Sequence, residues 1–189
     1  MRLFVAVELN GDCIRVATET SAVLGRVVDP KIRAAWVSAA NMHLTVRFIG
    51  HVDDARAPAM LEALAPPLDV APFDVELGGC GVFPPSGPPR VIYIGLAQGL
   101  PSLAAMHEEF NRRLRPFGFE PEDRPFSAHL TLARIKDAPK GAGAPLREAL
   151  RHIQPSGARV HVTSATVFQS HLSPKGPRYE ALLHVPCRR

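Results

Sequence analysis

Two short stretches of this chain carry residues that could do acid–base chemistry, and the two match each other. The first is His43-Leu44-Thr45-Val46 and the second is His129-Leu130-Thr131-Leu132. Successive side chains of a β-strand point to opposite faces, so the histidine and the threonine of each stretch share one face and the two apolar residues share the other. Two such strands lying together would surround a small space with two imidazoles and two hydroxyls. The pattern predicts an acid–base site for an anionic substrate.

The spacing also has an ordinary explanation, which is two core histidines hydrogen-bonded to neighbouring hydroxyls. A third stretch, His161-Val162-Thr163, has the same spacing, but Ser164 takes the place of the second apolar residue. We interpret His161 as a strand residue that faces solvent or a partner strand. The other two stretches share more than the spacing, because Arg47 follows the first histidine by four residues and Arg134 follows the second by five.

The composition is that of an ordinary globular protein. Of 189 residues, 46% are hydrophobic and 21% are charged, and no apolar run is long enough to span a membrane. The apolar part of residues 1–8 is too short for a signal peptide and is predicted to be a strand. Three widely spaced cysteines make a disulfide framework or a zinc site unexpected, so a cytoplasmic location is predicted. A net charge of +4 favours phosphate-bearing ligands without requiring nucleic acid.

Hydrophobic periodicity and turn residues divide the chain into strands and helices. Strands are predicted at residues 2–8, 43–49, 73–82, 90–96, 128–135, 160–168 and 179–185, with a short extended piece at 35–37. Helices are predicted from a cap at Asn10 or Asp12 to about residue 28, at 55–64, from Pro101 to a stop at 116–118, and at 146–153. Strands 73–82 and 90–96, like strands 160–168 and 179–185, are joined by turn-rich links such as 173–177, which favours antiparallel pairing. The predicted fold class is α+β.

The two motifs lie 86 residues apart, close to half of the chain, and each is on a predicted strand that a helix follows. This repetition predicts one domain over residues 1–189 that is built from two lobes. One lobe would carry the motif at 43–46 and the other the motif at 129–132.

Several further stretches accompany the motifs. They are residues 2–9 at the start, 36–37 and 41–50 around the first motif, 81–84 and 89–93 in the middle, 124–134 around the second motif, and 176–180 near the end. With them the sequence resembles, nearly end to end, the bacterial and archaeal RNA 2′,3′-cyclic phosphodiesterases. These proteins are also called 2′-5′ RNA ligase-like and belong to the 2H phosphoesterase superfamily. The chain departs from the family's usual pattern at Arg47, Ala35 and Ala128, where Lys, Arg and Pro are usual.

The resemblance implies a two-lobed fold with pseudo-two-fold duplicated antiparallel sheets, helices on the outside and a central cleft. It implies hydrolysis of RNA 2′,3′-cyclic phosphate ends to 2′-phosphate ends, with no metal and no other cofactor. In that reaction His129 is the general base that activates water, and His43 is the general acid that protonates the departing O3′. Imidazoles titrate near neutral pH, so two of them can do both tasks. Weak ATP-independent 2′-5′ ligation of RNA ends would use the same groups.

Other side chains are candidates for substrate contacts. The hydroxyls of Thr45 and Thr131 are predicted to bind the phosphate oxygens, on which negative charge builds up in the transition state. Arg134 is the first candidate for a further phosphate contact and Arg47 the next, although a solvated charge at a strand end would explain either. Base or ribose contacts are considered for three aromatic residues, for each of which core packing is the ordinary alternative: Phe48, Phe126 and Tyr179.

Two other functions remain open from the sequence. The cleft could bind nucleotides or RNA ends without turnover, although binding alone would not need two groups of acid–base pKa. The enzyme could instead hydrolyse small cyclic phosphates, such as ADP-ribose cyclic phosphate or a cyclic nucleotide. The expected partner is RNA with a 2′,3′-cyclic phosphate end, tRNA fragments included, or a nucleotide. No membrane or metal partner is expected, and the protein is predicted to be a monomer.

Overall fold

A computed structural model describes residues 1–122, 124–155, 157–174 and 176–188. In these residues the chain forms nine strands and four helices. The strands are β1 (Arg2–Glu8), β2 (Arg33–Trp36), β3 (His43–His51), β4 (Phe73–Phe83), β5 (Val91–Gln98), β6 (Leu130–Asp137), β7 (Arg159–Val162), β8 (Ser164–His171) and β9 (Arg178–Pro186). The helices are α1 (Gly11–Val27), α2 (Ala57–Leu64), α3 (Leu100–Leu114) and α4 (Gly143–Arg151). The predicted α+β class is confirmed.

The nine strands of the described chain form one sheet with an internal symmetry. Its order is β7-β4-β5-β6-β3-β1-β8-β9, and β2 pairs with β6 from outside this path. We call β3, β1, β8 and β9 lobe 1, and we call β6, β5, β4 and β7 lobe 2. Read outward from the middle of the sheet, the two lobes have corresponding strands, and they meet where β3 pairs with β6.

The lobes are not consecutive halves of the chain. Strand β4, from the first half, lies in lobe 2 beside β5, and strand β8, from the second half, lies in lobe 1 beside β1. Each lobe therefore needs strands from both halves of the chain.

The predicted antiparallel pairing of neighbouring strands is confirmed for β4 with β5 and for β8 with β9. The predicted single strand at 160–168 is wrong, because β7 pairs with β4 in lobe 2 and β8 pairs with β1 and β9 in lobe 1. Local periodicity cannot show that a strand changes partners within one residue. The predicted turn at 173–177 includes Lys175, which lies outside the described residues.

One face of the central strands is apolar and packs beneath the helices. Leu44 and Leu130 are opposite each other in the sheet and both are fully buried. They belong to the same core as Val5 of β1 and as Phe110 of α3, the helix that packs against β3. Within the described chain, no helix is both long and apolar enough to cross a membrane.

Truncating the side chain at the middle of this core should destabilise the fold. Leu130→Ala leaves a cavity under the second motif, and we expect the free energy of unfolding to fall by about 2–5 kcal/mol. Leu172 is 71% exposed, so Leu172→Ala should change the free energy of unfolding by less than about 0.5 kcal/mol. Urea denaturation followed by circular dichroism measures both. Equal effects of the two substitutions would contradict the described packing.

Candidate active site

The two motifs lie on neighbouring strands at the middle of the sheet. Leu44 of β3 pairs with Leu130 of β6 in antiparallel register. In this register the residues that flank the two leucines are also opposite each other: His43 is opposite Thr131, and Thr45 is opposite His129. The two histidines are therefore diagonal neighbours on one face, with Cβ atoms about 7 Å apart. The structure thus brings the four predicted motif side chains together, on the face of the sheet that we call the cleft.

A backbone carbonyl two residues earlier orients each motif imidazole. Nδ1–H of His43 donates to the carbonyl oxygen of Asn41 at 2.8 Å, and Nδ1–H of His129 donates to that of Ser127 at 2.8 Å. Because a carbonyl oxygen can only accept, the neutral rings carry their proton on Nδ1 and leave Nε2 unprotonated. Each histidine therefore offers Nε2, on the opposite edge of the ring, for chemistry.

His43 is enclosed by aromatic rings of lobe 1. Its ring centroid lies 5.0 Å from that of Phe4 and 5.3 Å from that of Tyr179, which meets it edge-on. Burial lowers the pKa of His43 to about 4 against the opposing effect of its backbone hydrogen bond, and the positive charge of Arg134 lowers it further. At neutral pH the ring is uncharged in the free protein.

His129 has corresponding surroundings in lobe 2. Its ring centroid lies 4.9 Å from that of Phe83 and 5.5 Å from that of Tyr93, and these two rings stack on each other at 4.2 Å. Burial lowers the pKa of His129, and the charge of Arg134 acts in the same direction. Gly81 makes room for this arrangement, since any Cβ there would collide with the Tyr93 ring.

An extra residue in β3 turns Arg47 away from the cleft. Thr45 pairs with Ala6 of β1, but Arg47 pairs with Val5, so Val46 is a β-bulge. The bulge reverses the alternation of faces that a regular strand would continue. Arg47 consequently lies on the side of the core residue Val5 and is 5% exposed.

Arg47 is held there by the segment that precedes β6. Its guanidinium donates to a carboxylate oxygen of Glu122 at 3.1 Å and to the carbonyl oxygen of Glu120. Through these hydrogen bonds Arg47 links β3 to the segment that leads to His129. This position corrects the predicted phosphate contact of Arg47, which the structure does not bring to the cleft.

Strand β6 has the same bulge, and its arginine is affected in the opposite way. The pairing of β6 with β5 slips at Leu132, between Thr131 and Ala133. Ala133 is therefore buried, whereas Arg134 is exposed on the face of the cleft. The charge of Arg134 lowers the pKa of both motif histidines, so the guanidinium lies near both. The structure brings Arg134 into the site.

Two of the three aromatic residues considered for base contacts lie at the cleft. Phe48 occupies in lobe 1 the position that Arg134 has in lobe 2, and it is 51% exposed. Tyr179 lies against the first motif histidine. Phe126 lies elsewhere, because its ring stacks on His107 of α3 with a centroid distance of 4.4 Å. This stacking corrects the predicted base contact of Phe126.

Three residues that line the site were not predicted from the sequence: Phe4, Phe83 and Tyr93. They lie on β1, β4 and β5, and the alternation of side chains in each of these strands could be seen in the sequence. Their place beside a motif histidine could not, because it depends on which strands pair.

His161, which has the third His-x-Thr spacing, lies on the edge strand β7, and its Nδ1 is 2.7 Å from a carboxylate oxygen of Asp74. Its predicted position, facing solvent or a partner strand, is confirmed.

The described part of the chain contains no group of three His, Cys, Asp or Glu side chains that could hold a metal ion. The polar groups that the structure brings to the cleft include two imidazoles, two hydroxyls and the guanidinium of Arg134. These groups can move protons and bind an anion.

A known family shares the duplication seen in this site. Its sequence profile, described as LigT-like phosphoesterase, matches the chain twice, over residues 17–93 and over residues 94–179. This chain belongs to the LigT-like phosphoesterase family. The predicted resemblance to phosphoesterases of the 2H superfamily is thereby confirmed.

Relatives cover most of the chain. It is 37% identical over 149 residues to the RNA 2′,3′-cyclic phosphodiesterase of Aeropyrum pernix, which covers 77% of this chain and 81% of that protein. It is 32% identical over 188 residues to the RNA 2′,3′-cyclic phosphodiesterase of Archaeoglobus fulgidus, with 96% and 98% covered. The crystal structure of TT0787 of Thermus thermophilus has a TM-score of 0.79 and 27% identity, covering 100% of this chain and 98% of that one. The two-lobed fold that the resemblance implies is confirmed.

The low pKa of His43 makes the stability of this phosphoesterase depend on pH. A histidine titrates near pH 6.5 in the unfolded chain, and His43 titrates at about 4 in the folded protein. Its contribution is therefore fully present above about pH 6.5 and is lost as the pH falls towards 4. Between pH 7.5 and 4.5 we expect it to remove about 2–3 kcal/mol from the free energy of unfolding.

His43→Gln should remove that part of the pH dependence, as urea denaturation at the two pH values would show. His51 is an exposed histidine on the same strand, so His51→Gln should leave the pH dependence as in the wild type. A His43→Gln variant that keeps the full loss of stability at pH 4.5 would show that His43 does not titrate as described.

Proposed function

We propose that this protein hydrolyses the 2′,3′-cyclic phosphate of RNA ends to a 2′-phosphate, with its two motif histidines as acid and base. The observation that carries the proposal is the pair of Nδ1-protonated imidazoles held as diagonal neighbours between two threonines. The names of the two relatives, both RNA 2′,3′-cyclic phosphodiesterases, support the choice of substrate.

Hydrolysis of the cyclic diester needs one proton removed and one supplied. In the proposed reaction Nε2 of His129 takes a proton from water while the water oxygen bonds to phosphorus. Protonated Nε2 of His43 gives its proton to O3′ as the P–O3′ bond breaks. One water is consumed, the product has a 2′-phosphate and a 3′-hydroxyl, and proton exchange with solvent restores both histidines.

In the proposed reaction His43, the acid, must become protonated when the substrate binds. His43 has a pKa of about 4 and is neutral in the free protein at neutral pH. The cyclic phosphate carries a negative charge, which next to the ring favours the protonated form and raises the pKa. His129 must stay unprotonated to act as base, and its lowered pKa is suited to that role.

The difference between the lobes supports the assignment of roles. In an in-line displacement the attacking water and the departing O3′ lie on opposite sides of phosphorus. The acid therefore lies on the side of the nucleoside and the base on the far side. The exposed ring of Phe48 and the ring of Tyr179, which could contact base and ribose, lie in lobe 1 with His43. A nucleoside over lobe 1 places O3′ near His43 and leaves the far side to His129.

Charge on the phosphate oxygens is stabilised in this scheme by Thr45, Thr131 and Arg134. We propose that these groups suffice and that the reaction needs no divalent metal ion. An RNA 5′-hydroxyl attacking in place of water would produce a 2′-5′ linkage without ATP, as a weak second activity.

The first test is turnover of a short RNA that ends in a 2′,3′-cyclic phosphate, with EDTA present. We expect the wild type to produce a 2′-phosphate end, identified by the added mass of one water and by chromatography against standards that end in a 2′-phosphate and in a 3′-phosphate. His43→Ala and His129→Ala each remove one proton-transfer step, so kcat should fall by about 10²- to 10⁴-fold. His161→Ala is the matched control, since His161 has the same spacing to a threonine but lies on β7, and it should keep wild-type activity.

Other outcomes of this assay would refute parts of the proposal. RNA binding without turnover by the wild type would indicate a nucleotide-binding protein. Faster turnover of ADP-ribose cyclic phosphate than of RNA, with no dependence on RNA length, would indicate a phosphodiesterase of small cyclic phosphates. Activity that is lost in EDTA and restored by a divalent ion would contradict metal independence.

A second test compares the two arginines that the bulges separate. Arg134→Met removes a charged hydrogen-bond donor from the cleft, and kcat/KM should fall by about 10- to 100-fold, with the free energy of unfolding within about 0.5 kcal/mol of the wild type. Arg47→Met removes the buried hydrogen bonds to Glu122 and Glu120, so the free energy of unfolding should fall by about 1–3 kcal/mol. The loss of kcat/KM should be smaller than that of Arg134→Met. A larger loss of kcat/KM for Arg47→Met than for Arg134→Met would contradict the assignment.

A further inference from the structure

Helix α3 carries a buried histidine that the proposed reaction does not use. His107 is 7% exposed and lies on the side of the sheet opposite the cleft, among the core residues of the helix. A buried imidazole is costly unless its polar atoms have partners. The contacts of His107 therefore indicate what it does.

The first contact of His107 is with the strand of the first motif. Its Nδ1–H donates to the carbonyl oxygen of Val46 at 2.7 Å. Val46 is the bulge residue of β3 and directly follows Thr45. The hydrogen bond holds the backbone at the point where the strand alternation reverses.

The second contact of His107 is with the segment before the second motif. Its ring stacks on Phe126 with a centroid distance of 4.4 Å and an interplanar angle of 19°. Phe126 lies three residues before His129, in the segment whose Glu122 also binds Arg47. One side chain of α3 thus contacts both the first motif strand and the approach to the second.

Lobe 2 satisfies the corresponding carbonyl in another way. The carbonyl oxygen of Leu132, the bulge residue of β6, accepts from the backbone N–H of Val37 at 2.8 Å. Both bulge carbonyls are therefore bound. In lobe 2 the donor is a backbone group, and in lobe 1 it is a side chain that a substitution can remove.

We propose that His107 is a positioning residue, which sets the placement of His43 relative to His129 through Val46 and Phe126. This inference rests on the proposed function. The two motif strands meet at Leu44 and Leu130, and a small rotation about that pair would change the separation of the two Nε2 atoms. Acid and base must act on opposite sides of one phosphorus, and a displacement of about 1 Å can reduce the rate by about 100-fold.

The test uses two substitutions at His107. His107→Leu removes the donor to Val46, and kcat should fall by about 10- to 100-fold with a much smaller change in KM, because Thr45, Thr131 and Arg134 still bind the phosphate. His107→Asn keeps an N–H donor at the position of Nδ1–H but has no ring to stack on Phe126, so it should recover most, but not all, of the kcat that His107→Leu loses. Leu150 is a buried residue of α4, and Leu150→Ala is the control for lost stability. The kcat of this variant should be unchanged.

A second readout does not depend on turnover. The Hε1–Cε1 NMR cross-peaks of His43 and His129 should shift in His107→Leu, return most of the way to their wild-type positions in His107→Asn and stay unmoved in Leu150→Ala. If the wild type hydrolyses no cyclic phosphate, the proposed function fails while the NMR comparison still tests the positioning. Unmoved cross-peaks in His107→Leu, a kcat within twofold of the wild type, or an Asn variant as impaired as the Leu variant would overturn the inference.

Discussion

The antiparallel pairing of Leu44 with Leu130 is the contact on which the rest of the site depends. It joins the two lobes of the sheet, and it buries the two leucines in one core beneath the cleft. Because alternate residues of a strand face opposite sides, burying the leucines directs the flanking histidines and threonines to the cleft. The core and the site are therefore two faces of the same two strands, and the packing that stabilises one positions the other.

The bulges after the motif threonines make this duplicated site asymmetric. Both strands bulge at the residue after the threonine, so in each the next residue is buried and the one after it faces the cleft. In β3 these two residues are Arg47 and Phe48, and in β6 they are Ala133 and Arg134. An aromatic ring is presented on one side and a guanidinium on the other. A symmetric backbone thereby presents different side chains on the two sides of the cleft.

The aromatic surroundings of the histidines have opposite effects on stability and on chemistry. Burial of His43 and His129 lowers their pKa values, which costs stability in acid. The same burial disfavours the protonated form of His129, which suits the general base of the proposed reaction. It also leaves His43 uncharged in the free protein. In the proposed reaction the negative charge of the substrate then raises the pKa of His43, and the ring becomes protonated.

The local features of this protein could be predicted from its residues alone: the α+β class, the two motif strands and the shared face of each histidine and threonine. Alternation of side chains is a property of a single strand, so it can be read without knowing the partner strand. The positions of Arg47, outside the cleft, and of Arg134, inside it, depend instead on how the strands pair. The contacts of Phe4 and Phe83 with the motif histidines, and the division of residues 159–171 between the lobes, depend on strand pairing as well. Both the bulges and these contacts arise from the pairing of residues far apart in the chain, such as Arg47 with Val5.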